Sequence, residues 1–170
     1  MTIDPAIGCL IATSTELLFV IAIVHKLRDL RRFSEIFAAY RLFPLATGRR
    51  IALVVPALEL VVAAGLILDA PTLALATGSA LLLAYATAIA VNLARGRRDL
   101  DCGCAGPNNR RPIAAWMVWR NIVMAALLAV ALLPWTDRPF VATDAVTIGF
   151  GTVCCALIYL CVDRLSGVTR

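Results

Sequence analysis

Five long apolar stretches are the feature that most constrains the fold of this 170-residue chain. Hydrophobic residues make up 61% of the sequence, well above the roughly 45–50% of soluble domains. A helix needs about 20 apolar residues to cross a hydrocarbon layer roughly 30 Å thick. We therefore predict five membrane-spanning segments, over residues 5–24, 51–68, 73–94, 113–133 and 140–162.

The predicted spans indicate the fold class. In lipid each backbone N–H and C=O group must find its partner inside the protein, so the spans form helices although valine and isoleucine are common in them. We expect an all-α integral membrane protein. It is a bundle of five transmembrane helices, four in the core and one added, with residues 1–170 as a single multi-pass domain. Between Lys26 and Tyr40, Leu27, Leu30, Phe33 and Phe37 recur at helical spacing, which predicts a short interfacial amphipathic helix after the first span.

The basic residues are concentrated at one end of the predicted spans. Short loops rich in lysine and arginine stay cytoplasmic, so we expect the N-terminus outside and the C-terminus in the cytoplasm. The net charge of +5 then reflects topology and contact with the bilayer, and nucleic-acid binding is the weaker explanation. The basic residues at the cytoplasmic end are Lys26, Arg28, Arg31, Arg32, Arg41, Arg49, Arg50, Arg95, Arg97, Arg98, Arg110, Arg111, Arg164 and Arg170, with Arg138 at the other end.

Two cysteines one glycine apart lie in the charged loop between the third and fourth spans. A disulfide between Cys102 and Cys104 closes a very small ring, which makes the bond easy to reduce, and Gly103 supplies the backbone freedom that such a ring needs. Nearby arginines favour a thiolate, whereas Asp99 and Asp101 oppose it. The residues leave three interpretations open: a redox pair, incidental thiols, or a metal site that lacks a second ligand pair at the usual spacing.

The other cysteines lie in the predicted spans. Each packs by default as a small apolar residue. Cys161 is expected near the cytoplasmic end of the fifth span, which makes it the first candidate for a thiol that resolves the Cys102/Cys104 pair, ahead of Cys154 and Cys155. Cys9 lies near the opposite face, too far away for direct exchange.

Three charged residues are expected at similar depth inside the bundle. Counted from the cytoplasmic ends of their spans, Glu16, Glu59 and Arg120 lie roughly 10–14 Å deep by helix rise. Charges at such depth are costly and face the bundle interior in pairs. We predict that Arg120 pairs with Glu59, with Glu16 or with both. The layer is either a structural network that fixes helix register or a pocket for protons or a substrate.

Several short motifs resemble those of DoxX-like membrane proteins, over most of the chain. The loop Asp101-Cys102-Gly103-Cys104, followed by Trp119-Arg120-Asn121, looks like the MauE branch of that family and is the most discriminating of them. The other motifs are His25-Lys26-Leu27-Arg28-Asp29 followed by Phe33, then Tyr40-Arg41-Leu42-Phe43-Pro44, then Glu59-Leu60 with Gly65-Leu66.

The resemblance implies a multi-pass protein of the bacterial cytoplasmic membrane. It also implies a role in processing, transport or disulfide-linked maturation of the methylamine dehydrogenase small (beta) subunit, with a thioredoxin-like, MauD-like protein as partner. Cys102 and Cys104 fall on the cysteine loop of the family. Thiol–disulfide exchange is the leading hypothesis for activity. A non-enzymatic assembly platform and a small-solute transporter remain alternatives. The sequence indicates no cofactor, resident metal or nucleotide motif.

Overall fold

Six helices account for most of the residues that the structure describes. The computed structural model describes residues 2–65, 68, 70–103 and 111–168, so Cys104 lies outside the described residues. The helices are α1 Pro5–Arg28, α2 Leu30–Ala39, α3 Leu45–Gly65, α4 Pro71–Ala94, α5 Ala115–Ala131 and α6 Ala142–Val168. Five long helices and one short one confirm the predicted all-α fold.

Acidic residues begin the first two helices. The Asp4 side chain accepts a hydrogen bond from the amide of Ala6, and Pro5 occupies the first turn of α1, where no backbone N–H is needed. Asp29 plays the same capping role for α2 by accepting from the amide of Arg32 at 3.0 Å. Because Asp29 has an extended backbone with φ −148°, it also separates α2 from α1.

The helix predicted between Lys26 and Tyr40 is confirmed in type but shifted in extent. Lys26 and Leu27 belong to α1, which continues to Arg28 before the chain turns at Asp29. The remaining helix, α2, has Phe33 and Ile36 half-buried against the bundle, whereas the side chain of Arg31 is 92% exposed. The amphipathic pattern therefore orients α2 across the end of the bundle.

The bundle consists of a four-helix core with α6 added at the side. Helices α1, α3, α4 and α5 pack around one apolar cluster, with the α4–α5 contact the most extensive, and α6 lies along α1. The cluster consists of Ala12, Phe19, Val62, Leu75, Leu81, Leu82, Ala125, Leu128 and Ala131. This arrangement confirms the predicted core of four helices plus one.

Two glycines allow close helix contacts. A Cβ atom at Gly65 would lie 2.6 Å from the Cβ of Ala74, where the chain turns from α3 into α4. A Cβ atom at Gly151 would lie 2.7 Å from Leu10, where α6 lies on α1. Real Cβ atoms do not approach so closely, so a side chain at either position requires the helices to move apart.

The chain is a helical membrane protein. Within the described residues, α1, α4 and α6 are long and apolar enough to cross a membrane, and α5 is a shorter apolar helix. Large apolar side chains face outward on α6, including Phe150, Ile158 and Leu165, as expected of a helix in contact with lipid. Crossing of the membrane by α3 and α5, and the single multi-pass domain with its span boundaries, remain predictions.

Candidate functional site at the cysteine end of the bundle

Cys102 lies between two chain segments that pair in an antiparallel manner. Its amide donates to the carbonyl oxygen of Arg111 at 2.9 Å, and the amide of Ile113 donates to Leu100 at 2.9 Å. The half-buried Cys102 packs against an apolar cluster that includes Ile89 and Met117. These bonds fix the backbone of Cys102 at the junction of α4 and α5.

Asp101 holds the turn that follows. One carboxylate oxygen, Oδ1, accepts from the amide of Gly103 at 3.2 Å and from the amide of Arg111 at 3.4 Å. The other oxygen, Oδ2, lies 3.5 Å from the guanidinium of Arg32 on α2. Gly103 has φ +72°, a conformation that glycine adopts without strain. The aspartate therefore links both segments of the loop to α2.

Helix α2 is in turn held to the end of α4. The Arg97 guanidinium donates to the carbonyl oxygens of Ala39 at 2.7 Å and Tyr40 at 3.2 Å, and to the side chain of Asn92 at 2.9 Å. Asn92 is fully buried. Carbonyls at a helix C-terminus have no partner within the helix, so Arg97 satisfies the end of α2 and fixes its position over the bundle.

A cleft of about 380 Å³ lies between α2 and the loop beside Cys102. From α2 its walls are Arg32, Glu35, Ile36 and Ala39. From the loop they are Asp99, Leu100, Asp101, Arg111 and Pro112. The cleft is thus lined by aliphatic side chains together with carboxylates and guanidinium groups, and one of its lining residues, Asp101, is the chain neighbour of Cys102.

A buried ion pair lies beneath α2. Lys26 on α1 contacts the carboxylate of Glu59 on α3, and the hydroxyl of Tyr85 on α4 donates to the same oxygen, Oε1, at 2.6 Å. Lys26 is 6% exposed and Glu59 is 0% exposed. The Lys26 ammonium also lies 5.0 Å from the ring centroids of Tyr85 and Phe33, within the range of a cation–π interaction. Four helices therefore meet at one charged pair.

The predicted pairing of Arg120 with Glu59 is wrong, because Lys26 is the cation that neutralises this carboxylate. Arg120 instead donates to the hydroxyl of Tyr159 on α6 at 3.0 Å, and its guanidinium lies 5.2 Å from the Trp116 ring centroid. Glu16 is half-buried on α1. The predicted pairing of Arg120 with Glu16, and a shared role for the three residues, remain predictions.

Lys26 was missed because the sequence places it among the arginines of a basic loop. Its helical phase was the available signal: Phe19, Ile23 and Lys26 follow one another at spacings of four and three, and all three are buried on one face of α1. Arg97 and its contact with Asn92 were also missed, since pairing between sequence-distant groups depends on which helix ends become neighbours.

Two of the remaining predicted site residues, Cys102 and Cys161, belong to different parts of the fold, one in the loop between α4 and α5 and the other on α6. Cys161 is exposed on α6, whose main packing is with α1, and Cys154 and Cys155 are exposed on the same helix. Cys104 lies outside the described residues. Among residues 2–65, 68, 70–103 and 111–168, no group of three or more His, Cys, Asp or Glu could hold a metal ion. The roles of Cys102, Cys104 and Cys161 remain predictions.

Comparison with known proteins assigns the family. Residues 5–134 match the family model described as methylamine utilisation protein MauE. The chain is 34% identical over 169 residues to the methylamine utilization protein MauE of Paracoccus denitrificans, covering 98% of this chain and 91% of that protein.

Two further relatives bear the same description. The Paracoccus versutus protein is 35% identical, with 97% of this chain and 90% of the relative covered. The Methylophilus methylotrophus protein is 31% identical, with 98% and 90% covered. No solved structure matches the chain. The family match and these near-full-length similarities show that the chain belongs to the MauE family.

Proposed function

We propose that this chain is an accessory membrane protein of methylamine utilisation that assists processing, transport or disulfide-linked maturation of the methylamine dehydrogenase small subunit. The proposed chemistry is thiol–disulfide exchange by Cys102 and Cys104, with a thioredoxin-like protein as the second partner. Family membership supports the pathway. The assignment of the site depends on one observation, the position of Cys102. Backbone hydrogen bonds fix this residue at the end of the bundle, next to a cleft.

The exchange proceeds in two displacements. A thiolate of the pair attacks one sulfur of the substrate disulfide, that S–S bond breaks, and the departing substrate sulfur takes up a proton. The second cysteine then loses its proton, attacks the mixed disulfide and releases the reduced substrate. The loop pair loses two electrons and two protons, and the substrate gains them. The thioredoxin-like partner restores the dithiol by the same two displacements, and either direction of net flow is chemically allowed.

The surroundings of Cys102 are suited to this chemistry. The amide of Cys102 and the turn at Gly103 are held by the bonds to Arg111 and Asp101, so the nucleophile is positioned before the substrate arrives. Its partial burial leaves part of the residue accessible from the end of the bundle. Arg32 lies on the α2 side of the cleft and pairs with Asp101, the chain neighbour of Cys102.

Cysteine replacement tests the proposed exchange. We expect Cys102→Ser and Cys104→Ser each to abolish correct disulfide pairing in the small subunit, since one remaining thiol cannot complete both displacements and misplaced disulfides then stay unreduced. Mixed disulfides separated on non-reducing gels, together with mass mapping of the small-subunit disulfides, provide the measurement. Cys154→Ser, an exposed cysteine on α6, is the matched control and should behave as the parent. Normal maturation in a variant lacking both loop cysteines contradicts the proposal.

The proposed orientation places the cysteine loop at the cytoplasmic side of the bacterial inner membrane, with the N-terminus outside. The distribution of arginines supports this orientation. The test uses a variant in which Cys104 is the single cysteine. In intact cells the membrane should protect Cys104 from a membrane-impermeant maleimide, and labelling should occur once the membrane is permeabilised. Rapid labelling of Cys104 from outside reverses the assignment.

A non-enzymatic assembly platform is the second candidate. The cleft favours it because a surface that binds a partner needs no thiol chemistry. Under this alternative, the variant lacking both loop cysteines still co-purifies with its partner and still supports maturation.

A further inference from the structure

We propose that the cleft beside Cys102 binds an extended peptide segment flanking the cysteine of the substrate protein. The proposal builds on the exchange reaction above and names how its substrate is recognised. It depends on the position, chemistry and rigidity of the cleft.

The position of the cleft matches the geometry that exchange requires. The attacking sulfur must reach the substrate disulfide directly, so the residues on either side of the substrate cysteine must lie against the surface around Cys102. Asp101 and Arg111 line the cleft, and they are respectively the chain neighbour of Cys102 and its backbone hydrogen-bond partner. A peptide whose cysteine approaches Cys102 therefore meets this cleft with its adjoining residues.

The chemistry of the cleft favours a polypeptide over a lipid. Ile36, Leu100 and Pro112 offer aliphatic contacts, and charged groups of both signs stand among them. A lipid chain would leave these charges without water or partners, whereas a peptide supplies amide groups and polar side chains. Among the described residues that line the cleft, three carboxylates stand against two guanidinium groups, which favours a segment with basic residues.

Both walls of the cleft are held in place before any substrate arrives. Arg97 fixes the C-terminal end of α2 through the carbonyl oxygens of Ala39 and Tyr40. Asp101 bonds to both segments of the loop wall. A preformed site loses less conformational entropy on binding than a flexible one, so a cleft of about 380 Å³ can hold a short segment with useful affinity.

Ala39→Phe tests the cleft without disturbing its supports. Ala39 is the exposed last residue of α2, and its contact with Arg97 uses the backbone carbonyl, so the phenylalanine ring fills the cleft and leaves that bond intact. Ala94→Phe is the matched control, because Ala94 is the exposed last residue of α4 and is not among the residues that line the cleft.

Binding is measured with a fluorescent seven-residue peptide that carries serine at its centre and lysines on both sides, using the full chain in detergent micelles. We expect Ala39→Phe to weaken binding about tenfold, which corresponds to roughly 1.4 kcal/mol, and Ala94→Phe to leave it unchanged. Undetectable peptide binding by the parent protein, or equal binding by the parent and Ala39→Phe, overturns the proposal.

A pair of charge variants adds a second test. Arg31 and Glu35 form an exposed ion pair at 3.5 Å, so Arg31→Gln and Glu35→Gln break the same contact, but only Glu35 lines the cleft. Glu35→Gln should weaken binding of the lysine peptide about threefold, a rim-charge effect of the size seen for exposed pairs. Arg31→Gln should bind as the parent, and equal effects of the two variants count against the cleft.

Reactivity separates this proposal from the exchange function. The same peptide with a central cysteine joined to thionitrobenzoate reports exchange by release of the coloured thiol, and the N-acetylcysteine derivative reports reaction without flanking residues. We expect Ala39→Phe to slow reaction with the peptide and to leave reaction with N-acetylcysteine unchanged. Serine-peptide binding that depends on Ala39, combined with thiols inert toward both reagents, upholds the cleft and refutes the exchange function.

Discussion

At one end of the bundle Arg138 bridges Asp4 and Asp144, whereas at the other end Arg32 meets Asp101 across a cleft. The Arg138 guanidinium lies 2.7 Å from Asp4 Oδ1 and 2.7 Å from Asp144 Oδ2, and it thereby joins the start of α1 to the first turn of α6. The Arg32–Asp101 contact is longer, at 3.5 Å. The first end is closed by short charge-assisted bonds, whereas the described residues at the second end line a cleft.

The difference extends to the way each end is supported. Near Arg138, backbone bonds link Ile3 to Pro134 and Thr136 at 3.0 and 2.9 Å, so the segment before α1 is tied directly to the connection between α5 and α6. At the cysteine end the strongest charged contact is the deep Lys26–Glu59 pair beneath α2. The end that we propose receives a partner therefore lies above a buried ion pair, whereas Arg138 and Asp4 at the closed end are 33% and 39% exposed.

Removing the buried cation should have the largest effect. In Lys26→Met the Glu59 carboxylate keeps its hydrogen bond from Tyr85 but loses its counter-charge, and breaking a buried pair in this way costs about 3–5 kcal/mol. We expect a correspondingly large fall in the Tm of the micelle-embedded protein. Restoration of much of that loss by the double variant Lys26→Met/Glu59→Leu supports the explanation, since no charge is then left buried.

Arg28→Met is the control for this prediction. Arg28 ends the same helix but is exposed, so its replacement should change the Tm little. If Lys26→Met were as stable as Arg28→Met, the ion pair could not be the support of the cysteine end.

Hydropathy predicted the helices well because each span is a continuous run of mostly apolar residues. The apolar stretches predicted five long helices, but hydropathy does not identify α6 as the helix outside the core. The cation of Glu59 was not predicted either, since Lys26 looks like part of a basic loop until α1 is known to continue to Arg28. The helical spacing of Phe19, Ile23 and Lys26 was the local evidence that Lys26 faces the interior of the bundle.

The candidate site was predictable only in part. The Cys-Gly-Cys spacing identified the loop, because two cysteines this close in sequence indicate redox or metal chemistry before the fold is known. The cleft could not be predicted, since it depends on α2 folding back over the loop and on Arg97 reaching the carbonyl oxygens of Ala39 and Tyr40. Contacts between residues that are distant in sequence are set by helix packing, which hydropathy does not determine.

A comparison of two glycines isolates the contact between the loop and α2. Gly103 and Gly96 have φ of +72° and +74°, so an alanine at either position costs roughly 1–2 kcal/mol of left-handed backbone strain. A Cβ atom at Gly103 would also lie 3.3 Å from Ile36, whereas one at Gly96 meets nothing within 4 Å.

We therefore expect Gly103→Ala and Gly96→Ala to lower the Tm by similar amounts, and only Gly103→Ala to alter the reactivity of Cys102. Stopped-flow reaction with the thionitrobenzoate peptide measures that reactivity. Equal reactivity in both variants would show that packing of Gly103 on α2 does not position the cysteine.

The smallest expected effect is an acid dependence confined to the closed end. The Arg138 guanidinium, helped by the amide of Ala6, holds the pKa of Asp4 below its ordinary value of 3.8. A carboxyl with a lowered folded-state pKa stabilises the protein fully above the unfolded-state value, and this contribution is lost as the pH falls through the folded-state value. The Tm of the parent should therefore fall as the pH is lowered below about 4, and the fall should be shallower in Arg138→Gln.

Arg95→Gln is the control, because Arg95 at the cysteine end donates to the backbone carbonyl of Arg41. If Arg138→Gln and Arg95→Gln had the same acid profile as the parent, the Asp4–Arg138 contact would not be what closes this end, and the contrast between the two ends would rest on the cleft alone.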